Sequence, residues 1–311
     1  MRVIDLPLAL SAAVLGPILW LYGRLRWYTP VTRRLLNRIG VGVIRRHYSE
    51  PLVSLNDLHS PLDVRRDLPG IDLRVTDQIV LARKFAYAEE LLSLPLKKPS
   101  REEFGFWNGY YEPGDAEMYY NFIRYFKPAR ILEVGCGHST LLARRAIAQN
   151  KADDPAYCCE HTCIEPYERP WLEALGIDVI RRRVELCPPA LFDQLRMNDI
   201  LFIDSSHVLR PQGDVTHLYL SVLPRLSPGV IVHVHDIFTP RDYPDKWVLE
   251  GRLWNEQYIL EAFLSGNNRF RVLMALNMIA HDHPEALATA CPVLLRHPWH
   301  EPGAFWFQRI C

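Results

Sequence analysis

Net charge is the first thing missing from this sequence. Lysine plus arginine and aspartate plus glutamate number 36 each, so the chain as a whole carries no field that would gather nucleic acid. No nucleic-acid partner is expected. Cysteine is sparse and unordered: seven residues, an odd number, with no CxxC spacing. In a chain this long that argues against a disulfide framework and for a reduced compartment. Cys158, Cys159, His161 and Cys163 have no second ligand pair nearby, which argues against zinc. Internal repeats and low-complexity tracts are missing too, so solenoids and long linkers are excluded. What remains is a globular composition, 49% hydrophobic and 23% charged, over 311 residues. That suits one large domain, or a domain with appendages.

The longest stretch without charge runs from Leu6 to Gly23 (LPLALSAAVLGPILWLYG). Its eighteen residues just suffice for a membrane-spanning helix, and membranes tolerate prolines such as Pro7 and Pro17. Arg24, Arg26, Arg33, Arg34, Arg38, Arg45 and Arg46 follow before the next acid, Glu50. Positive charge on that side keeps the C-terminal body cytoplasmic. We expect membrane association through residues 6–23, at the cytoplasmic face, or a cytoplasmic protein if the run is a core helix. A cleaved signal peptide is disfavoured because no A-x-A site follows. The expected organisation is a hydrophobic helix over 1–25, a basic and helical extension over 26–100, and a main domain over 101–311. Within the extension, Asp72–Leu94 has helical spacing in its central part, with Leu81, Phe85, Ala88 and Leu92 on one face and Pro95 as its end.

From about Phe104 strands and helices alternate. Strands are expected at Arg130–Val134, Thr162–Glu165, Val179–Leu186, Asp199–Asp204, Val230–His235, Phe270–Asn277 and Ala304–Ile310. Helices are expected at Ala116–Phe126, Ser139–Gln149, Trp171–Leu175 and Trp254–Leu264. This alternation implies an α/β fold, a mostly parallel sheet with helices on both faces. Ligands then bind beyond the carboxyl ends of the strands.

The first strand ends in ILEVGCGHST. Gly135 and Gly137 permit a tight turn and close backbone approach to a ligand, and Ser139 opens a helix. There is no third glycine of the G-x-G-x-x-G pattern; its place holds Thr140. Glu133 can meet a cationic ligand, such as the ammonium of a methionine moiety. Glu165, ending the second strand, can accept both hydroxyls of a ribose. The fourth strand delivers FIDSSH and the fifth HVHDI, so Asp204, His207, His235 and Asp236 converge if these strands are neighbours. A histidine or carboxylate there can take a proton from an acceptor hydroxyl. Alternatively, a divalent cation such as magnesium, held by Asp204, Asp236 and His235, can lower the acceptor's pKa. His233 reads as a structural histidine and His161, His297 and His300 as surface residues. Trp254, Trp299 and Trp306 read as core. Phe238–Gly251 reads as a loop over the site, with Asp242 and Tyr243 facing the acceptor.

Glu133-x-Gly135-x-Gly137, the strand-end Glu165, FIDSSH and HVHDI, in this order, resemble class I S-adenosylmethionine-dependent methyltransferases. More narrowly they resemble a bacterial methyltransferase family whose strands end in IDxxH and HDI. HDIFTPRDYP with the later Trp247 and NEQY is similar to a subgroup of it. The resemblance covers about two-thirds of the chain. It implies a Rossmann-like, doubly wound, seven-stranded sheet with the last strand antiparallel, S-adenosylmethionine as cofactor, and Glu185 near its adenine. The reaction expected is methyl transfer to a hydroxyl of a sugar, a lipid-linked intermediate or a small natural product. A nicotinamide oxidoreductase would want the third glycine and a closer ribose acid. A catalytically silent cofactor-binding or scaffold protein at the membrane would not need four polar strand-end residues.

Overall fold

The computed structural model describes residues 2–167 and 169–311. They fall into two units: Met1–Leu62 with Pro244–Leu253, and Asp63–Tyr243 with Trp254–Cys311. The sheet-bearing unit therefore starts at Asp63, before the expected boundary at 101. Residues 63–100 are tied into it: Gln78 accepts the Ala275 amide at 2.7 Å, and Arg66 reaches Glu261 at 2.8 Å.

The first unit holds helices α1 (Arg2–Leu25) and α2 (Pro30–Arg38), and the short α8 (Asp245–Leu249). Within α1, the 22-residue span Ile4–Leu25 contains an 18-residue apolar window of mean hydropathy 1.8 and is long and apolar enough to cross a membrane. None of its apolar window is buried, so it is not a core helix among the described residues. Pro30 starts α2, where a missing amide costs nothing.

The second unit begins with α3 (Val75–Arg83) and α4 (Ala88–Ser93). These take the place of the one helix expected in the central part of Asp72–Leu94. Phe85, in the break, is wholly buried, its ring 5.5 Å from that of Phe122. Burying that ring outweighs continuing the helix; Leu91 is then buried and Leu92 exposed. The chain continues through α5 (Asp115–Phe126), β1 (Arg130–Val134), α6 (His138–Asp153), β2 (Glu160–Ile164), β3 (Asp178–Ile180), β4 (Ile200–Ile203), α7 (Asp214–His217) and β5 (Ile231–Val234). After α8 come α9 (Glu256–Leu264), β6 (Phe270–Ala275), α10 (Leu276–Asp282), α11 (Pro292–Arg296) and β7 (Phe305–Arg309). The third strand stops at Ile180, short of its expected end, and Val184–Leu186 forms a single 3-10 turn instead.

The strand order is β3-β2-β1-β4-β5-β7-β6. Pairings from β3 to β5 are parallel, and β7 is antiparallel to both β5 and β6. This is the expected Rossmann-like sheet with its last strand antiparallel and helices on both sides. β4 and β5 are buried at every residue, as strands covered on both faces must be. Their apolar runs fill the core, and α5 lays an aromatic layer on them. Phe122 stacks on Trp306 at 3.9 Å, and Tyr119 on Phe202 at 4.7 Å. His233 joins this layer, 4.4 Å from Trp306 and wholly buried, and burial pushes its ring well below the usual pKa. It is structural, as its place inside the strand suggested. Trp306 is core, but Trp299 is 68% exposed.

Candidate active site

The order of the sheet decides the site. β1 lies between β2 and β4, and β4 pairs with β5, so the segments leaving β1, β2, β4 and β5 share one edge. The turn after β1 requires glycine for a reason internal to the protein. Gly135 has φ +80°, and a Cβ there would lie 1.7 Å from the Asp204 carbonyl oxygen. The glycine lets β1 and β4 close on each other. At Gly137 a Cβ would collide with the Arg169 guanidinium, 2.3 Å from its Nη1. Thr140 Oγ1 accepts the Gly137 amide at 2.9 Å and ties off the start of α6.

Beside this turn is a cleft of about 390 Å³, lined by Gly135, Glu165, Glu185, Asp204, Ser205 and Ser206 and floored by Val134, Ile164 and Val184. That volume falls in the ~300–1,000 Å³ range of small-molecule sites. Glu165 Oε1 accepts the Tyr167 amide at 3.0 Å, which orients its carboxylate at the end of β2. Glu185 sits 3.4 Å from the Arg183 Nε. Gly135, Glu165 and Glu185 thus line one cleft.

Glu133, Gly137 and Ser139 are not on the cleft lining. Glu133 is wholly buried, with Oε2 2.7 Å from His161 Nε2. His161, expected at the surface, is buried because the β1–β2 register sets Glu133 beside Cys163, and His161 shares that face two residues earlier. Burial alone would lower the His161 pKa, but Cys163 and Glu133 raise it to about 10. Cys158 is exposed, outside this cluster.

The strand-end residues form a compact charged cluster. His207 Nε2 is 3.2 Å from Asp204 and 3.5 Å from Asp236, and its Nδ1 is 2.9 Å from Glu256 Oε2. His235 Nδ1 is 3.4 Å from Asp204 and its Nε2 is 3.3 Å from Asp115. Asp115, the first residue of α5, also accepts the Gly303 amide at 2.9 Å, tying the start of the last strand to this site. His207 and Asp236 both have positive φ, +59° and +57°. Left-handed backbone at two adjacent strand ends is costly and is found where side-chain direction matters.

Electrostatics assigns protonation states. Burial works against charge on His207, but Asp204, Glu256 and Asp236 outweigh it and raise its pKa to about 10. Burial likewise opposes charge on His235, and Asp236, Asp204 and Asp115 hold it well above the usual range. The surrounding carboxylates thus favour the protonated form of both rings. Burial would push Asp204 up, but His235 and His207 reverse this and hold it far below the usual carboxylate range. Asp236 moves the other way: burial dominates over the two histidines and raises it.

Asp204, His207 and Asp236 offer ligand atoms within 4.8 Å of one another, a grouping able to hold a metal ion. This differs from the expected set of Asp204, His235 and Asp236 by exchanging one histidine for the other. His207 fits such a role in one respect: Nδ1 is engaged by Glu256, leaving Nε2 toward both aspartates.

The expected loop over the site is anchored elsewhere where it belongs to this unit. Asp242 accepts the Tyr258 hydroxyl at 3.0 Å, and Tyr243 OH accepts the Gln257 amide at 3.0 Å, so both pin the segment to α9. Neither lines the cleft. Trp254, expected in the core, packs its ring 4.4 Å from His207.

Sequence reasoning missed Asp115, Glu256 and Arg169. The Arg169 guanidinium lies 5.5 Å from the Tyr110 ring as well as against Gly137. Residues 132–237 match the family model described as a methyltransferase domain. The match supports a methyltransferase domain across β1 to β5 and the Asp236 turn. No curated protein matches the chain.

Proposed function

We propose that the protein transfers a methyl group from S-adenosylmethionine, the usual donor of methyltransferase domains, to a hydroxyl of a sugar, lipid-linked or small-molecule acceptor. The observation that carries this reading is the continuity of the Glu165 cleft with the Asp204 carboxylate cluster. Glu165 takes the ribose hydroxyls, Glu185 lies toward the adenine, and Arg169 at the glycine turn receives the carboxylate of the methionine moiety. Asp204, kept ionised by two protonated histidines and facing the cleft, complements the sulfonium charge.

The sequence pointed to a histidine as proton acceptor. Because His207 and His235 already hold their protons, the base in this reading is Asp236, made more basic by burial. The acceptor O–H proton passes to Asp236 as the new O–CH₃ bond forms. The S–CH₃ bond breaks, and S-adenosylhomocysteine leaves. In a second reading, favoured by the Asp204–His207–Asp236 grouping, those residues hold a divalent cation that acidifies and orients the acceptor hydroxyl.

Methyl-labelled S-adenosylmethionine incubated with the full-length chain and a membrane and sugar-nucleotide extract tests the reaction. Label should enter the extract with wild type and fall by about a hundredfold or more with Asp204→Asn or Asp236→Asn. Full transfer by both variants would sink the assignment. Loss of transfer on chelation, restored by magnesium, would select the second reading.

In the same proposal α1 is a membrane anchor that holds the catalytic unit at the cytoplasmic face. The full-length chain should sediment with membranes through a carbonate wash and be released by detergent. Recovery in the high-speed supernatant without detergent would overturn the anchor.

A further inference from the structure

Seven arginines follow the apolar run of α1, and they do not all do the same thing. Arg26 pairs with Glu50. Arg33, Arg34 and Arg38 belong to α2. Arg24, Arg45 and Arg46 do something different. The chain returns after α2 so that Val43 and Arg45 come against Gly23, the buried residue of the last turn of α1; a Cβ at Gly23 would lie 3.6 Å from Arg45 Cβ. The result is a cleft of about 510 Å³ lined by Leu19, Trp20, Arg24, Val43, Ile44, Arg45 and Arg46.

Its chemistry is lopsided. Three guanidinium groups and four apolar side chains line it, and no acid does. Among the described residues none of the three arginines has a carboxylate partner; Arg24 instead lies 5.0 Å from the Trp20 ring. Guanidinium forks suit phosphate oxygens, and three of them without counter-charge leave a strong demand for an anion. The apolar residues suit acyl chains, and Trp20 is of the type found at the membrane–water boundary. The cleft lies at the C-terminal end of α1, where a helix entering a bilayer from the cytoplasm would meet the headgroups.

We propose that this cleft binds the phosphate headgroup of an anionic membrane lipid. The inference rests on the reading of α1 as a membrane anchor. It goes beyond a general attraction of basic residues to the surface, because it separates Arg24, Arg45 and Arg46 from Arg33, Arg34 and Arg38. A headgroup held there fixes the depth and rotation of α1.

The test uses the full-length chain in a non-ionic maltoside detergent, with dioleoyl phosphatidic acid and dioleoyl phosphatidylcholine as probes and bound lipid counted by native mass spectrometry. Wild type should retain phosphatidic acid in preference to phosphatidylcholine. The triple variant Arg24→Gln/Arg45→Gln/Arg46→Gln should lose that retention by at least about tenfold, while Arg33→Gln/Arg34→Gln/Arg38→Gln stays within about twofold of wild type. An unchanged far-ultraviolet circular dichroism spectrum and melting temperature show that each variant is folded. Equal losses in the two triples would reduce the cleft to diffuse basic charge. Absence of preference in wild type, or displacement of the lipid by millimolar inorganic phosphate, would also overturn the proposal. Sedimentation with membranes reports on α1 separately, so failure of the anchor is distinguishable from failure of the cleft.

Discussion

Glu256→Gln isolates the most informative contact in the site. Glu256 is wholly buried at the start of α9, and its Oε2 lies 2.9 Å from His207 Nδ1. Glutamine keeps the shape and an acceptor oxygen but removes the charge. A hydrogen bond to a charged partner contributes roughly 1.5–3 kcal/mol. One unit of pKa corresponds to about 1.36 kcal/mol, so His207 should fall from about 10 by roughly 1–2 units. Asp204 and Asp236 remain against Nε2, so the ring stays protonated at neutral pH. The neutral-pH rate should then change little, while the alkaline limb of the kcat/KM profile moves to lower pH by the same interval. Titration of the His207 resonances in isotopically labelled protein reads the shift directly, and the pH–rate profile reads its consequence. A His207 titration that does not move in folded Glu256→Gln would refute the assignment of Glu256 as the residue that sets this proton. A rate lost at all pH values, with the titration shifted, would instead place His207 in the proton path.

Two further outcomes follow from the geometry. Gly135→Ala imposes a left-handed conformation costing about 1–2 kcal/mol and drives a Cβ into the Asp204 carbonyl, so both thermal stability and S-adenosylhomocysteine affinity should drop; a variant unchanged in both would mean that β1 and β4 do not meet this closely. His161 and His207 have folded pKa values raised above the unfolded value of about 6.5, so the stability they contribute is complete below that pH and lost as pH rises through about 10. Melting temperatures should accordingly fall between neutral pH and pH 10, less steeply in His161→Gln, and a flat profile would be evidence against the Glu133–His161 pair.

The strands that build the site were legible because β1, β4 and β5 are short apolar runs that each end in a polar turn. Asp204, His207, His235 and Asp236 could be read as one cluster from the order of those turns. Their partners could not. Asp115 and Glu256 open two separate helices, α5 and α9, where an acid also suits the helix dipole, and no spacing links them to residues 207 and 235. Glu133 was legible as a carboxylate at a strand end but not as the partner of His161, which needs the β1–β2 register. The helix read in the central part of Asp72–Leu94 breaks at Phe85 because a tertiary contact with α5 overrode helical spacing. The reading of Gly135 was right about the need for glycine and incomplete about the cause. Its missing Cβ makes room for the neighbouring strand's backbone.

The central claim is that the cleft beside Glu165 takes S-adenosylmethionine. Calorimetry on the full-length chain, with S-adenosylhomocysteine and NAD titrated side by side, tests it most directly. The account predicts saturable binding of S-adenosylhomocysteine and none of NAD, and a loss of roughly 1–3 kcal/mol in Glu165→Ala from hydrogen bonds to a charged acceptor. Binding of NAD with no heat from S-adenosylhomocysteine, or an unchanged affinity in folded Glu165→Ala, would contradict it.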